Sequence, residues 1–304
     1  MRITACICTH DRPGYVRDCL AGLARQTADP ASFDILVVDS ASNPATAEQL
    51  VVLAAAHANA RLIRLEQPGV SRARNAGARA ASGDYIAYID DDAIPAEDWI
   101  ERILAAVAAH DPPPALIGGR ILPHWEAPLP CWWPASLRGV LSIIEAEGAG
   151  EYGSAALPAN LEPYGANMAV HTATLLAAGG FGRDSGRQGA ALLSDEEVQL
   201  AGTLKDAGHS IRFDSRIVVH HQIQAARLTP TWLLSRLYWQ GISTVRTRRL
   251  LGRGRAVWRE LPRRLAVALL LAPAAMLPRH SARLIGCRWR LAYACGFIRG
   301  ALGA

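Results

Sequence analysis

The chain has 304 residues, half of them hydrophobic and 19% charged, with 32 basic and 27 acidic side chains for a formal charge of +5. That much apolar material fills a core for one large domain or two modest ones, and it excludes disorder as a global description, because disordered chains are polar and highly charged. With no short repeat in the sequence, collagen-like and coiled-coil classes fail as well.

Ile3–Thr9 is apolar and β-branched and reads as a buried strand. Pro13 opens a helix at the first position, where proline is tolerated, and the pattern runs through Leu20 and Leu23 to Gln26. Phe33–Asp39 (FDILVVD) reads as the second strand, and Asn43-Pro44 as the cap and first turn of a helix toward Ala58. Arg61–Glu66 reads as a strand, Ser71–Ala81 as a helix, and Asp84–Ile89 as a strand ending at Asp90. Ala96–His110 then predicts a helix and Ala115–Leu122 a fifth strand. Strands separated by helices argue for a parallel sheet with helices on both faces, where ligands sit at the carboxyl ends of strands. Thr9–Arg12, Asp39–Ser42 and Asp90–Asp92 all fall at such ends.

Pro123–Glu162 is rich in Pro, Trp and Gly (PHWEAPLPCWWP), and suits a linker, a lid or a substrate wall. Gly165–His171 predicts a strand, Thr172–Ala178 and Ser194–Ala207 helices, Ser210–His221 a strand and Pro230–Arg248 a helix. Two amphipathic stretches close the chain, Val257–Leu277 and Ala282–Leu302. From Arg246 onward there are 13 arginines and one acid, Glu260, a net of +12, so the preceding residues carry −7. A basic tail on an acidic body predicts an anionic partner for the tail. The longest uncharged run there, Leu265–Leu277, has thirteen residues and is broken by Pro273. A span needs about 20, so no transmembrane helix is expected. An arginine-flanked apolar stretch can instead lie in a membrane interface; packing on the body or an oligomer contact is the alternative.

No secretory signal is expected, because Met1–Asp11 lacks a basic start and a long apolar stretch. Cys6, Cys8, Cys19, Cys131, Cys287 and Cys295 are scattered without a C-x-x-C, and read as reduced thiols of a cytoplasmic chain.

Asp90-Asp91-Asp92 follows the apolar run Tyr85–Ile89. Packed carboxylates at a strand end are costly without a cation, and hard oxygen ligands suit Mg²⁺ or Mn²⁺ bridging to phosphates. A solvated acidic turn is the plain alternative. Asp39 reads either as a turn residue or as an acceptor for a ring N–H or ribose hydroxyl. Gly69–Gly77 (GVSRARNAG) offers a basic helix start with Arg74 and Asn75, suited to phosphate. Ser194-x-x-Glu197 has the form of a capping box, and acids in a first turn are favoured by the helix dipole. His220 and His221 are adjacent in a strand and point to opposite faces, so one of them faces a site easily. Trp125, Trp132 and Trp133 suit either the wall of an acceptor site or core packing. No G-x-G-x-x-G follows the first strand, which disfavours a nicotinamide enzyme.

Taken in order, CICTHDRPGYVRDCLAGLARQT, FDILVVDSAS, GVSRARNAGARAASGDYIAYIDDDAIPAEDWI, GANMAVHTATLLAAGGF, LLSDEEVQLAGTLKDAG and VVHHQI resemble a family-2 glycosyltransferase over about Ile3 to Gly241. The resemblance implies an α/β, three-layer α/β/α Rossmann-like glycosyltransferase-A fold. It implies a catalytic domain at 1–245, divided into a nucleotide-binding half (1–122) and an acceptor half (123–245), with a basic amphipathic helical extension at 246–304. It implies a nucleotide site in which Thr9 and Asp39 hold the base, with Arg74 nearby, and Asp91 touches the ribose; Asp11, Arg12 and Asp90 at the strand ends, Asn75 at the helix start and Asn167 in GANM complete the candidate nucleotide-sugar site. The Asp90-Asp91-Asp92 run stands for the family's DXD motif, with Asp92 and His221 as ligands of Mn²⁺ or Mg²⁺. Glu197 is the implied catalytic base, with Glu196 the alternative. Where the family often has Asp-Asp-Gly-Ser after the second strand, this chain has Asp39-Ser40-Ala41-Ser42.

The function so implied is inverting transfer of a sugar, most often from UDP in this family, to a saccharide or lipid-linked acceptor in bacterial polysaccharide or cell-envelope glycan synthesis. The enzyme is then expected to be peripheral at the inner face of the cytoplasmic membrane, partnered through 246–304 by an anionic surface, with no nucleic-acid partner. The competing readings are a metal-dependent nucleotidyltransferase, which releases pyrophosphate, and a nucleotide-sugar-binding protein without turnover.

Overall fold

The computed structural model describes residues 1–182, 192–273 and 282–303. The end of the expected Val257–Leu277 stretch lies outside the described residues.

The N-terminal elements follow the sequence pattern closely. Strand β1 is Ile3–Thr9, helix α1 Pro13–Ala24, β2 Phe33–Asp39, α2 Pro44–Ala55, β3 Ala60–Arg64, α3 Val70–Ala80 and β4 Tyr85–Asp90. Asn43 caps α2 by accepting from the Thr46 N–H at 3.0 Å. The chain then forms β5 (Ala93–Pro95), α4 (Trp99–Ala108), β6 (Leu116–Trp125), β7 (Ala149–Glu151), β8 (Met168–His171), α5 (Thr172–Ala177), α6 (Glu196–Asp206) and β9 (Ile211–Ile223). Helices α7 (Pro230–Leu250), α8 (Gly254–Leu271) and α9 (Ala282–Leu302) complete it.

These strands form one sheet in the order β3-β2-β1-β4-β8-β6-β9-β5, with β7 also paired to β9. Strands β1 to β4 pair in parallel, as expected of strands joined by crossover helices. The rest departs from that expectation. β8 runs antiparallel to β4 and β6, and β5 and β7 run antiparallel to β9. β8 is reached through the irregular middle segment rather than through a crossover helix, so nothing imposes a parallel direction on it. β5 and β7 are three residues each, too short to leave a periodic signal. The core is built on β1, β2 and β4, whose side chains are buried almost without interruption. Burial on both faces is what turns these strands into continuous apolar runs in the sequence.

The described residues pack as two compact units. One contains 1–124, 142–182 and 200–222; the other contains 125–141, 192–199 and the residues from 223 on. In the second unit α7 and α9 lie against each other at glycines. A Cβ at Gly241 would collide with backbone of Tyr293 and Phe297, and one at Gly296 with the Tyr238 carbonyl. Val245, Val257, Phe297 and Ala301 form a small core there, bordered by Leu261 and Tyr293. Among the described residues no helix is long and apolar enough to cross a membrane.

Candidate active site

Three strand ends of the first unit carry its polar side chains. Asp39, last residue of β2, is fully buried. Its Oδ1 accepts from the Ser42 N–H at 2.9 Å. Its Oδ2 is buried without a hydrogen-bond donor among the described residues, and Arg64 Nε stands 3.7 Å away. A buried acceptor left in that state is the exception in proteins and suits an incoming N–H.

At the ends of β1 and β4, Thr9 Oγ1 donates to Asp91 Oδ2 at 2.7 Å. Arg12 then forks across two carboxylates, with Nη1 2.7 Å from Asp91 Oδ1 and Nη2 2.7 Å from Asp92 Oδ2. Its guanidinium also lies 4.5 Å from the centroid of the Tyr15 ring. Burial works against the charge of Arg12, but Asp91 and Asp92 outweigh it and hold the group protonated. Burial pushes the Asp91 carboxyl up to about 7, Arg12 and Thr9 pull it down, and Asp92 and Asp90 raise it. Asp90 itself is more exposed and faces Arg74 Nη2 at 3.3 Å, while Arg74 is buried 5.5 Å from the Phe181 ring centroid.

Antiparallel pairing of β5 with β9 sets Ala93 opposite His221. The His221 imidazole thereby arrives beside Asp92, with Nε2 3.3 Å from Oδ1. His221 is buried and its neighbour His220 is exposed, as strand alternation requires. The donor chemistry here, one carboxylate and one imidazole with a second carboxylate adjacent, fits Mn²⁺ or Mg²⁺. Such cations commonly take only one or two protein ligands and complete their shell with phosphate and water. Among the described residues no three His, Cys, Asp or Glu side chains form a complete cage.

Three expected donor contacts are spent elsewhere. Asn167 is buried with its Oδ1 accepting from Trp99 Nε1 at 2.8 Å and its Nδ2 donating to the carbonyls of Arg120 (2.8 Å) and Ile217 (3.0 Å). It is a core bracket, with both of its amide N–H donors engaged. Asn75 both donates to and accepts from the Phe181 backbone, at 2.8 Å each way, tying α3 to the segment after α5. Asp11, with φ 55°, accepts from the Asn43 N–H and side-chain amide at 2.8 and 2.6 Å, and its own N–H donates to Ser42 Oγ at 2.9 Å. It braces the loop after β1 against the loop after β2. Ser42 and Asn43 emerge as partners in that brace, which the sequence did not signal.

In the second unit, Glu196 and Glu197 are buried in the first turn of α6. The capping-box reading fails: the helix begins after Asp195, which has φ 77°, and the Ser194 N–H donates to Ser243 Oγ at 3.1 Å. Asp195 was not among the expected site residues. Burial raises its pKa, against hydrogen bonds from Gln240 Nε2 (2.8 and 3.0 Å) and Ser194 Oγ (2.9 Å). Trp132, Trp133 and Trp232 form a tilted stack in the same unit, with centroids 5.5 and 6.5 Å apart.

Residues 4–126 match the family model described as glycosyl transferase family 2. A glucosyl-dolichyl phosphate glucuronosyltransferase of Haloferax volcanii is 26% identical over 253 residues, covering 80% of this chain and 76% of the relative. A pre-mycofactocin glycosyltransferase of Mycobacterium tuberculosis is 26% identical over 68% of this chain, which spans only 41% of that relative. Among solved structures, the mannosyltransferase PcManGT of Pyrobaculum calidifontis, in complex with GDP-Man and Mn²⁺, superposes with a TM-score of 0.63 at 18% identity, over 98% of this chain and 86% of that one. S. aureus TarS in complex with UDP gives 0.55 at 15% identity, over 100% and 92%. The matched residues 4–126 hold β1, β2 and β4 with every strand-end aspartate described above; over those residues the chain is similar to family-2 glycosyltransferases, and its mixed sheet is that of the glycosyltransferase-A fold.

Proposed function

We propose that this glycosyltransferase moves a sugar from a nucleotide-diphosphate donor to an acceptor hydroxyl with inversion at the anomeric carbon. The observation that carries the proposal is the buried Asp91–Asp92 pair at a strand end, balanced by Arg12 and flanked by His221. Asp39, with its open Oδ2, and Thr9 hold the base, with Arg74 nearby; Asp91 takes the ribose and Asp90 lies at the donor side. A divalent cation bound through Asp92 and His221 supplies positive charge against the departing diphosphate.

Glu197, with Glu196 as alternate, accepts the proton of the acceptor hydroxyl. The freed oxygen then forms the new bond from the face opposite the leaving group. UDP is the favoured nucleotide by family resemblance, and the GDP-Man and UDP complexes of the structural neighbours keep both nucleotides in the test. The acceptor is a saccharide or a lipid-linked glycan of the cell envelope, supported by the dolichyl-phosphate substrate in the name of the H. volcanii relative. An enzyme on such an acceptor works at the inner face of the cytoplasmic membrane, with residues 246–304 toward the lipid.

Nucleoside-diphosphate release from a panel of UDP-, GDP- and dTDP-sugars, with Mn²⁺ or EDTA, tests the proposal. Metal-dependent release from one donor is expected. Release of pyrophosphate instead would make the protein a nucleotidyltransferase, and nucleotide binding without release in the presence of acceptor glycolipid would make it a binding protein.

A further inference from the structure

We propose that α8 is a bilayer-docking helix, inserting Trp258, Leu265, Leu269 and Leu270 among anionic phospholipids while Arg255, Arg259 and Arg263 meet their phosphates. Among the described residues the helix is packed on one side only. Val257 and Leu261 face the small core with Phe297 and Tyr293. On the other side Trp258 is 57% exposed, Leu269 77% and Leu270 78%. Scattered apolar residues on a surface need no explanation, but a cluster of large ones on one helix face marks an interaction site.

Helical spacing orders this face. At 100° per residue, Trp258, Leu265 and Leu269 fall within about 40° of arc, and Leu270 lies about 100° beyond Leu269, on the arginine border. Arg255, Arg259 and Arg263 follow at four-residue steps along one border, and all three are exposed. Glu260, the one acid after residue 245, is turned to the opposite side and held by Arg248 and Arg264. The exposed face is therefore cationic and apolar, with no acid on it. That combination is the signature of a helix lying in a membrane interface.

Charge also selects the occupant. A second copy would bring one arginine-rich surface against another, and a nucleic acid has no use for exposed leucines. An anionic bilayer answers both halves of the face. The inference gives the proposed lipid-linked acceptor its place of encounter and rests on that reading for its purpose only.

The test is cosedimentation of the full chain with vesicles of phosphatidylcholine, alone or mixed with phosphatidylglycerol. Binding to the mixed vesicles, weakened by salt, is expected. Replacing Leu269→Gln and Leu270→Gln together should weaken it about a hundredfold. The triple change Arg255→Gln, Arg259→Gln and Arg263→Gln should weaken it about a hundredfold, at roughly fivefold per arginine. Both variants should still cleave donor in solution as the parent does. Failure of the parent to sediment, or equal binding by parent and variants, overturns the docking assignment. So does a shift from dimer to monomer in the leucine variant with vesicle binding intact, which would give the face to a second copy. Absence of donor cleavage in every protein would instead overturn the transferase reading and leave the vesicle result standing.

Discussion

Replacing Arg12→Gln removes a guanidinium that spans Asp91 and Asp92. Each loses a 2.7 Å charged contact, while the two carboxylates remain 5% and 2% exposed. Breaking a buried ion pair costs about 3–5 kcal/mol, and because Arg12 is itself 30% exposed we discount this for solvent screening to about 2–3 kcal/mol. For a unit of this size that lowers Tm by about 6–9 °C. Thermal unfolding in EDTA measures the loss. Adding Mn²⁺ without nucleotide then separates two explanations. If Arg12 and a cation serve the same carboxylates, Mn²⁺ at a hundred times its Kd returns about 2.7 kcal/mol to the variant, enough to restore its melting point. The parent, whose carboxylates already hold Arg12, should gain far less. A variant melting within about 2 °C of the parent in EDTA, or equal Mn²⁺ stabilisation of both proteins, would refute the idea that Arg12 is the counter-ion of the pair.

Three further outcomes follow from the geometry. Glu197→Gln should lower kcat by about 10²–10⁴-fold with donor affinity unchanged, as expected for loss of a general base; stopped acceptor turnover beside normal nucleotide binding is the readout, and retained turnover passes the role to Glu196. Gly296→Val places side-chain atoms on the Tyr238 carbonyl and should cost about 3 kcal/mol of stability in the helical unit, seen as early proteolysis between α7 and α9; parent-like resistance would contradict the close packing. Burial pushes Glu260 up, but hydrogen bonds and charge from Arg248 and Arg264 outweigh it and hold the carboxyl below its usual range. Its stabilisation is therefore present at neutral pH and disappears as pH falls below the unfolded value of about 4.3, so parent and Glu260→Gln melting curves should differ at neutral pH and merge in acid. Curves that stay parallel through that range would exclude the ion pair as the cause.

Much of the first unit was legible because its strands are buried on both faces and its helices carry local signals. Pro13, Asn43-Pro44 and the apolar runs before Thr9, Asp39 and Asp90 each fix an element by chemistry within a few residues. What stayed hidden depends on contacts between distant residues. The direction of β8 is set by the sheet it joins, not by its own four residues. Arg12 and Asp91 are 79 positions apart, and no spacing rule foretells their contact. The contacts of the asparagines were hidden for a related reason: Asn75 reads from the sequence as part of a basic helix start and Asn167 as part of the GANM run, while the partners of their amides are groups that only the folded chain brings near. The choice between His220 and His221 required a pairing partner, which the short β5 provides.

Asn167 carries a consequence for that choice. Its grip on the Ile217 carbonyl fastens β9 at a point four residues before His221. A strand displaced by a single residue turns every side chain to the opposite face. Such a slip would swing His221 away from Asp92 and bring His220 inward. The bracket in the core thus acts as a ratchet pawl on β9, and the acidic corner depends for its imidazole on an amide that grips the strand four residues away.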